Sequence, residues 1–266
     1  MNKATPSVMV VIPARYGSSR FPGKPLVMLG RKPMIQHVYE QAAACRAVTE
    51  VLVATDDERI KQAVEGFGGR VVMVAGDYRT GTDRVAGVAR MFDGDYFLNL
   101  QGDEIPLQPD LLADLIKPFI ESGTEMGTLK RAIESTEDVH NPSVVKVVTD
   151  HLGNALYFSR APIPLVRDDT SRKAVGGLHY IHLGLYMYRR DILLKLAALP
   201  TGRLEDAEKL EQLRALEHGI PIRVWETKHD SFRVDRPEDV ESVTERLQQS
   251  EVDKRELGAR KAVPSR

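Results

Sequence analysis

Short apolar, β-branched runs alternate with amphipathic helical stretches through the first hundred residues, and this alternation restricts the chain to an α/β architecture. Val8–Ile12 (VMVVI), Val51–Ala54, Val71–Ala75 and Tyr96–Leu100 suit strands buried on both faces of a sheet. Between them, Pro33–Val48 opens on a proline that the first helical turn tolerates, and Asp57–Gly66 and Thr82–Phe92 also read as helices. A β-α-β-α order predicts a mostly parallel sheet with helices on both faces and right-handed crossovers. Ligands of such sheets bind beyond the carboxyl ends of the strands. The loops after Ile12, Ala75 and Leu100 are therefore the first places to look for chemistry.

The second half is more mixed. Val144–Val148, Ala155–Phe158 and His182–Tyr188 read as strands, while Pro162, Pro164 and the polar stretch Arg167–Gly177 suggest a smaller inserted unit. Leu204–Gly219 reads as one helix, Ile220–Glu226 as a strand and Asp235–Gln249 as a final helix beginning near Pro237. At 266 residues, with 42% hydrophobic and 28% charged side chains, the chain fits one large α/β unit or one domain carrying an insertion. Lys and Arg number 37 against 38 Asp and Glu, so no global field favours nucleic acid or an anionic membrane. Any anion site must be local. The single cysteine, Cys45, excludes an internal disulfide framework and a Cys-rich zinc site, and its Ala-rich setting suits a small core residue. No apolar run approaches the ~18 residues of a membrane span, and the opening MNKATPS lacks a signal-peptide core. The cytoplasm is the expected compartment.

Pro13–Pro25 (PARYGSSRFPGKP) supplies Arg15, Arg20 and Lys24, the hydroxyls of Ser18 and Ser19, and two glycines that admit close backbone approach. That set suits a polyanion held by charge-assisted hydrogen bonds; a solvated basic turn is the plain alternative. Neither the Walker nor the dinucleotide glycine spacing is present. In Gln101–Glu104 (QGDE), Asp103 can reach a divalent ion in the crevice while Gly102 lets the chain turn, although an Asp there also suits ordinary turn chemistry. Its candidate partner is Asp235 in FRVDRPED, where a helix-capping role is equally open. Mg²⁺ needs only one or two protein carboxylates. Thr80–Arg84 (TGTDR) suits a helix start and could also set backbone against a base and Arg84 against a phosphate. Arg160, His182 and Tyr186 fall at strand-like positions, where a lone His also suits a structural role. The Leu204–Gly219 stretch repeats leucine at a three-residue spacing through Leu204, Leu210, Leu213 and Leu216, with Glu208 and Gln212 four apart on one side, where a solvated surface is the plain reading.

Taken together, nine ordered segments resemble the 3-deoxy-manno-octulosonate (Kdo) cytidylyltransferases, the CMP-Kdo synthetases, over about residues 8–247. They are PARYGSSRFPGKPL at 13–26, VATDD at 53–57, TGTDR at 80–84, QGDE at 101–104, NPSVVKVV at 141–148, LYFSRAPIP at 156–164, HLGLYMYR at 182–189, LEDAEKLEQLRALEHG at 204–219 and VDRPED at 234–239. The resemblance implies a nucleotide-diphospho-sugar transferase-like, Rossmann-like α/β fold with a smaller mixed α+β insertion, acting as a homodimer. It implies Mg²⁺-dependent transfer of CMP from CTP to the anomeric 2-hydroxyl of Kdo, giving CMP-Kdo and pyrophosphate for lipopolysaccharide core synthesis.

By the same resemblance, Arg15 and Lys24 would hold the triphosphate and Asp103 and Asp235 would hold Mg²⁺, the four forming the catalytic set. Ala14, Thr80, Gly81, Arg84 and Gln101 would surround the nucleotide with them. Arg160, His182, Tyr186, Glu211 and Gln212 would recognise the sugar acid, with Arg160 on its carboxylate. The expected organisation is one cytidylyltransferase domain over 1–250, a sugar-binding and dimerisation subdomain at roughly 150–200, and a charged, disordered tail at 251–266. The chain departs from the family pattern at Ile105, where proline commonly follows QGDE, and at Arg236, where threonine is common. Alternatives are the same reaction on 8-amino-Kdo, CMP-sialic acid synthesis and a nucleotide-binding protein without turnover. The Leu204–Gly219 pattern argues against the second, and the presence of both Asp103 and Asp235 against the third.

Overall fold

A strand that is apolar throughout needs cover on both faces, and Val8–Pro13 (β1) has it: Val8, Val10 and Ile12 enter one core, Met9 and Val11 the other. The computed structural model describes residues 6–17, 21–76, 78–106, 108–167, 177–234 and 236–249. The remaining strands in chain order are β2 (Met28–Leu29), β3 (Lys32–Pro33), β4 (Glu50–Thr55), β5 (Val71–Met73), β6 (Tyr96–Leu100) and β7 (Glu104–Pro106). They continue with β8 (Met126–Ala132), β9 (Lys146–Thr149), β10 (Ala155–Ser159), β11 (Tyr180–Arg189), β12 (Arg223–Glu226) and β13 (Ser231–Arg233). The helices are α1 (Met34–Ala43), α2 (Glu58–Gly66), α3 (Gly81–Met91), α4 (Asp110–Ser122), α5 (Thr136–His140), α6 (Arg190–Ala198), α7 (Arg203–Glu208) and α8 (Leu213–Glu217). Residues 239–249 are also helical.

β1 pairs in parallel with β4 and β6, and β4 with β5. Beyond β6 the direction changes, because β11 runs antiparallel to β6, β8 and β9. With β10 on β9 and β12 parallel to β8, the result is a nine-stranded mixed sheet. Helices cover both faces, as expected. Met34, Ile35 and Val38 of α1, Ile60 and Val64 of α2, and Leu111, Leu112 and Leu115 of α4 fill one core. Val85 and Val88 of α3, Ile192, Leu193 and Leu196 of α6, and Leu213 of α8 fill the other. Cys45 is buried, in line with a core role.

The structure corrects two elements. Leu204–Gly219 is two short helices, α7 and α8, separated by Lys209 in the left-handed region at φ 54°. The physical reason lies in the α7 N-terminus: the Glu217 carboxylate accepts the N–H groups of Leu204 and Glu205 at 3.1 and 3.3 Å. In one continuous helix those ends would lie about 20 Å apart. Helical periodicity groups Leu204 with Leu210, Leu213 and Leu216 but misses the reversal at Lys209, which leaves Leu204 exposed while the other three pack into one core. α1 likewise ends at Ala43 rather than Val48, since the chain must turn for Thr49 N–H to reach Val8 O at the head of β4.

Candidate active site

The loops after β1 and β6 meet at the carboxyl ends of adjacent strands. Ala14 is buried and its N–H donates to Ala54 O at 2.9 Å, continuing the β1–β4 ladder, while Arg15 is exposed. Gly23, at φ 70°, turns the chain into a 3₁₀ segment over Lys24–Leu26, and this delivers the buried Lys24. Its Nζ lies 2.7 Å from Asp103 Oδ2. Gly102 makes the approach possible, because a Cβ there would stand 3.0 Å from Pro13 O. Two basic and acidic candidates far apart in sequence are thus one ion pair.

The second candidate carboxylate, Asp235, lies outside the described residues, as do Ser18, Ser19, Arg20, segment 168–176 and the tail 251–266. The residues before Asp235 are informative. β13 pairs antiparallel with β7, Arg233 opposite Glu104, and the N–H of Val234 donates to Asp103 O at 3.2 Å. Ile105, one of the departures, is buried in β7 within this ribbon, and Arg236, the other, is exposed. Among the described residues no group of three or more His, Cys, Asp or Glu side chains is placed to cage a metal.

The N-terminus of α3 forms the next wall. Thr80 and Asp83 make a reciprocal capping box, with bonds of 3.1 and 3.2 Å. Glu211, delivered by the turn at Lys209, accepts from the N–H groups of Gly81 and Thr82 at 3.3 Å each. Gln101 lies against Gly81, where a Cβ would come within 2.7 Å of its Nε2. That amide donates to Asn99 Oδ1 at 3.1 Å, and Asn99 Nδ2 donates to Thr82 Oγ1 at 3.3 Å. Arg84 is buried, donates to Asp56 Oδ2 at 2.8 Å and stands 5.3 Å from the Tyr78 ring. An open cleft of about 350 Å³ lies between Arg15, Tyr16, Asp56, Gly76, Tyr78 and Arg84.

Tyr186, Glu211 and Gln212 share a small cavity with Thr80, Thr82 and Tyr188. The Tyr186 hydroxyl and Gln212 Nε2 are buried there with no hydrogen-bond partner among the described residues. Buried polar atoms of this kind call for a ligand or water. Burial holds the Tyr186 phenol well above its usual range, so it stays protonated and can donate. His182 stands with its ring centroid 5.2 Å from that of Tyr186 and 5.0 Å from that of Phe158, and its Nε2 is 3.2 Å from Thr128 Oγ1. Burial, with Arg233 nearby, pushes its pKa down to about 3, so the ring is neutral near pH 7.

Arg160 lines neither of these two cavities. Its Nε donates to Glu208 O at 2.9 Å and its Nη1 to Pro142 O at 3.0 Å, while the Glu208 carboxylate accepts from Arg160 N–H and Ser159 Oγ. It braces the end of α7, just before the Lys209 turn that presents Glu211 and Gln212.

Four further residues shape the site and were not singled out from sequence. Asn99 interrupts the apolar run of β6, and a polar residue in a central strand signals a buried partner. Glu104 is buried and its carboxyl is raised by desolvation. Arg214 is buried between Glu205 at 2.6 Å and Asp83 at 3.3 Å, tying α8 to the capping box. Lys146 is buried and donates to the carbonyls of Asn141, Val144 and Arg160 at 2.7 to 2.9 Å. Nothing in their local spacing distinguishes the last three from surface charges.

The profile of the Cytidylyltransferase family matches residues 9–226. The chain is 52% identical over 248 residues to the 3-deoxy-manno-octulosonate cytidylyltransferase of Geobacter sulfurreducens, covering 91% of this chain and 99% of that protein. It is 50% identical over 252 residues to the protein of the same description from Geobacter metallireducens, covering 92% and 99%. A solved structure of CMP:2-keto-3-deoxy-manno-octonic acid synthetase complexed with CTP matches with a TM-score of 0.85 at 44% identity, covering 91% and 99% of the two chains. The 4-diphosphocytidyl-2C-methyl-D-erythritol synthase of Anaerococcus prevotii, at 14% identity and a TM-score of 0.61 over 92% and 97%, shares the fold.

Proposed function

Because the chain belongs to the cytidylyltransferase family and, within it, to the 3-deoxy-manno-octulosonate cytidylyltransferases, we propose that this nucleotidyltransferase moves CMP from CTP to the anomeric 2-hydroxyl of Kdo, releasing pyrophosphate. The observation that carries the reading is the Lys24–Asp103 pair, with the N–H of Val234 on Asp103 O, at the mouth of the sheet. It joins an ammonium suited to a triphosphate to a carboxylate suited to a divalent ion.

The in-line displacement breaks the bond between the α-phosphorus and the pyrophosphate oxygen as the sugar oxygen attacks. Negative charge grows on the leaving group, and Lys24 and Arg15 would receive it. Thr80, Gly81 and Gln101 would meet the nucleotide beside Ala14, and Arg84 would back its phosphates. Tyr186 and Gln212 offer the sugar acid donors that have no other partner among the described residues, and neutral His182 adds an apolar and polar edge beside Tyr186.

Asp103 fits a Mg²⁺ ligand: its side chain is about a quarter exposed (27%), and the β7–β13 ribbon brings the chain on the N-terminal side of Asp235 alongside it. Asp103 and Asp235 would hold the ion. When bound, Mg²⁺ would supply Lewis-acid chemistry, acidifying the attacking hydroxyl and offsetting phosphate charge. The product, CMP-Kdo, would supply lipopolysaccharide core assembly, and the working unit would be a homodimer.

The test is pyrophosphate release with Mg²⁺, each of the four nucleoside triphosphates, and Kdo, 8-amino-Kdo or sialic acid. CTP with Kdo should be the most efficient pair. A preference for 8-amino-Kdo would reassign the acid, release with sialic acid alone would overturn the substrate class, and no release with any pair would leave a nucleotide-binding protein.

A further inference from the structure

β11 contains an irregularity with a clear cause. Leu183 pairs with Leu129 and Tyr186 with Thr128, so β11 advances three residues where β8 advances one. Gly184 and Leu185 are the surplus. The consequence is visible in the side chains: His182 and Tyr186, four residues apart and so about 13 Å apart along a regular strand, have ring centroids only 5.2 Å apart.

Two side chains hold this bulge. From β8, Thr128 Oγ1 lies 2.7 Å from Leu185 O and 3.1 Å from Leu183 O. From the opposite side comes Glu104, buried at 5% exposure, whose Oε1 accepts the N–H of Gly184 at 3.3 Å and the Ser231 hydroxyl at 2.8 Å. The fit requires glycine at 184, because a Cβ there would stand 2.5 Å from Glu104 Oε2. Glu104 directly follows Asp103, and Ser231 begins β13, which leads into Val234 and its bond to Asp103 O.

We propose that Glu104 is a positioning residue that registers the two halves of the site. One carboxylate binds the β11 bulge, which sets His182 and Tyr186, to the β7–β13 ribbon, which sets Asp103. The inference rests on the functional reading above for the roles of those residues, while the clamp itself is a matter of hydrogen bonds within this chain. Glu104→Ala removes the one oxygen that accepts both bonds. The KM for the sugar acid should rise about tenfold or more, the size expected for losing two buried hydrogen bonds, with the KM for CTP changed less than about threefold. Glu104→Gln keeps an acceptor oxygen and should stay near wild type on both. Ser231→Ala should give a smaller rise in the same direction.

Hydrogen exchange at the Gly184 amide reads the clamp without any substrate: protected in the wild type and Glu104→Gln, and at least tenfold faster in Glu104→Ala. Should Glu104→Ala fail to fold, Ser231→Ala and Gly184→Ala carry the same two measurements. Unchanged Gly184 exchange, or equal changes in both KM values, overturns the proposal. Faster exchange in a protein that shows no turnover with an octulosonate leaves the clamp standing and removes the substrate reading instead.

Discussion

Asp103 sits where two demands meet, since its carboxylate pairs with Lys24 while the backbone of the same residue accepts from Val234. Asp103→Asn keeps the shape and removes the charge. Turnover should fall by about 10²- to 10³-fold, the range seen when a group stabilising transition-state charge is lost, with CTP affinity within about threefold. Equal turnover in the variant would remove Asp103 from the metal site. His182 gives a different kind of test. Its folded pKa of about 3 lies below the ~6.5 of an unfolded histidine. Between those values the unfolded chain binds a proton that the folded chain does not, so stability is fully present above about pH 6.5 and falls as pH drops toward 3. Urea midpoints of wild type and His182→Phe at pH 7 and pH 5 check the sign: the wild type should lose more on acidification. A larger loss in the variant would show that the ring is protonated in the folded protein.

The elements behave differently from their residues where chain reversal is concerned. Lys209, at φ 54°, is the only non-glycine in the left-handed region among the described residues, and its N–H donates to Glu205 O. It turns Glu211 onto the Gly81 and Thr82 amides. Lys209→Gly relieves backbone strain and should leave stability unchanged or raise it by up to ~1 kcal/mol. Lys209→Pro forbids the angle and removes the donor, costing ~3 kcal/mol or more, and should also raise the sugar-acid KM because Glu211 and Gln212 lose their presentation. Thermal melts with steady-state kinetics decide it; a Pro variant of wild-type stability would mean the turn is not needed. The same region shows where sequence legibility ended. Val8–Ile12 was readable because burial on both faces leaves an unbroken apolar run, and Tyr96–Leu100 because only Asn99 interrupts one. The Lys209 break was not, since leucine recurs every three residues from Leu210 to Leu216 and continues a pattern that begins at Leu204, which is exposed in the structure. The bonds of Arg160 to the carbonyls of Glu208 and Pro142 were equally unreadable, because they are long-range and leave no local mark.

At the level of the whole molecule, the two cores interleave residues from both halves of the chain. Val8, Val10 and Ile12 share one core with Leu183, Leu185, Val243 and Leu247, and Met9 and Val11 share the other with Tyr186, Leu213 and Val224. α4 and β8 belong to this framework although no motif announced them, because their only signal is apolar spacing. A sheet whose β11 pairs with β6, β8 and β9 offers no plane along which a subdomain could detach without breaking it. The sequence expectation of one domain over residues 1–250 therefore becomes a prediction about cooperativity. The single tryptophan, Trp225, reports from β12, packed edge-on to Phe119 of α4 at 6.2 Å and over Gly127 of β8. The proposed nucleotide loops lie at the ends of β1 and β6. Trp225 fluorescence and far-ultraviolet circular dichroism should melt together, and CTP at about 100 times its Kd should stabilise the fold by ~2.7 kcal/mol. At roughly 2–4 °C per kcal/mol for a domain of this size, both probes should rise by about 5–10 °C. If the dichroism midpoint moves while Trp225 keeps its original midpoint, the nucleotide half unfolds on its own and the chain is two cooperative units rather than one.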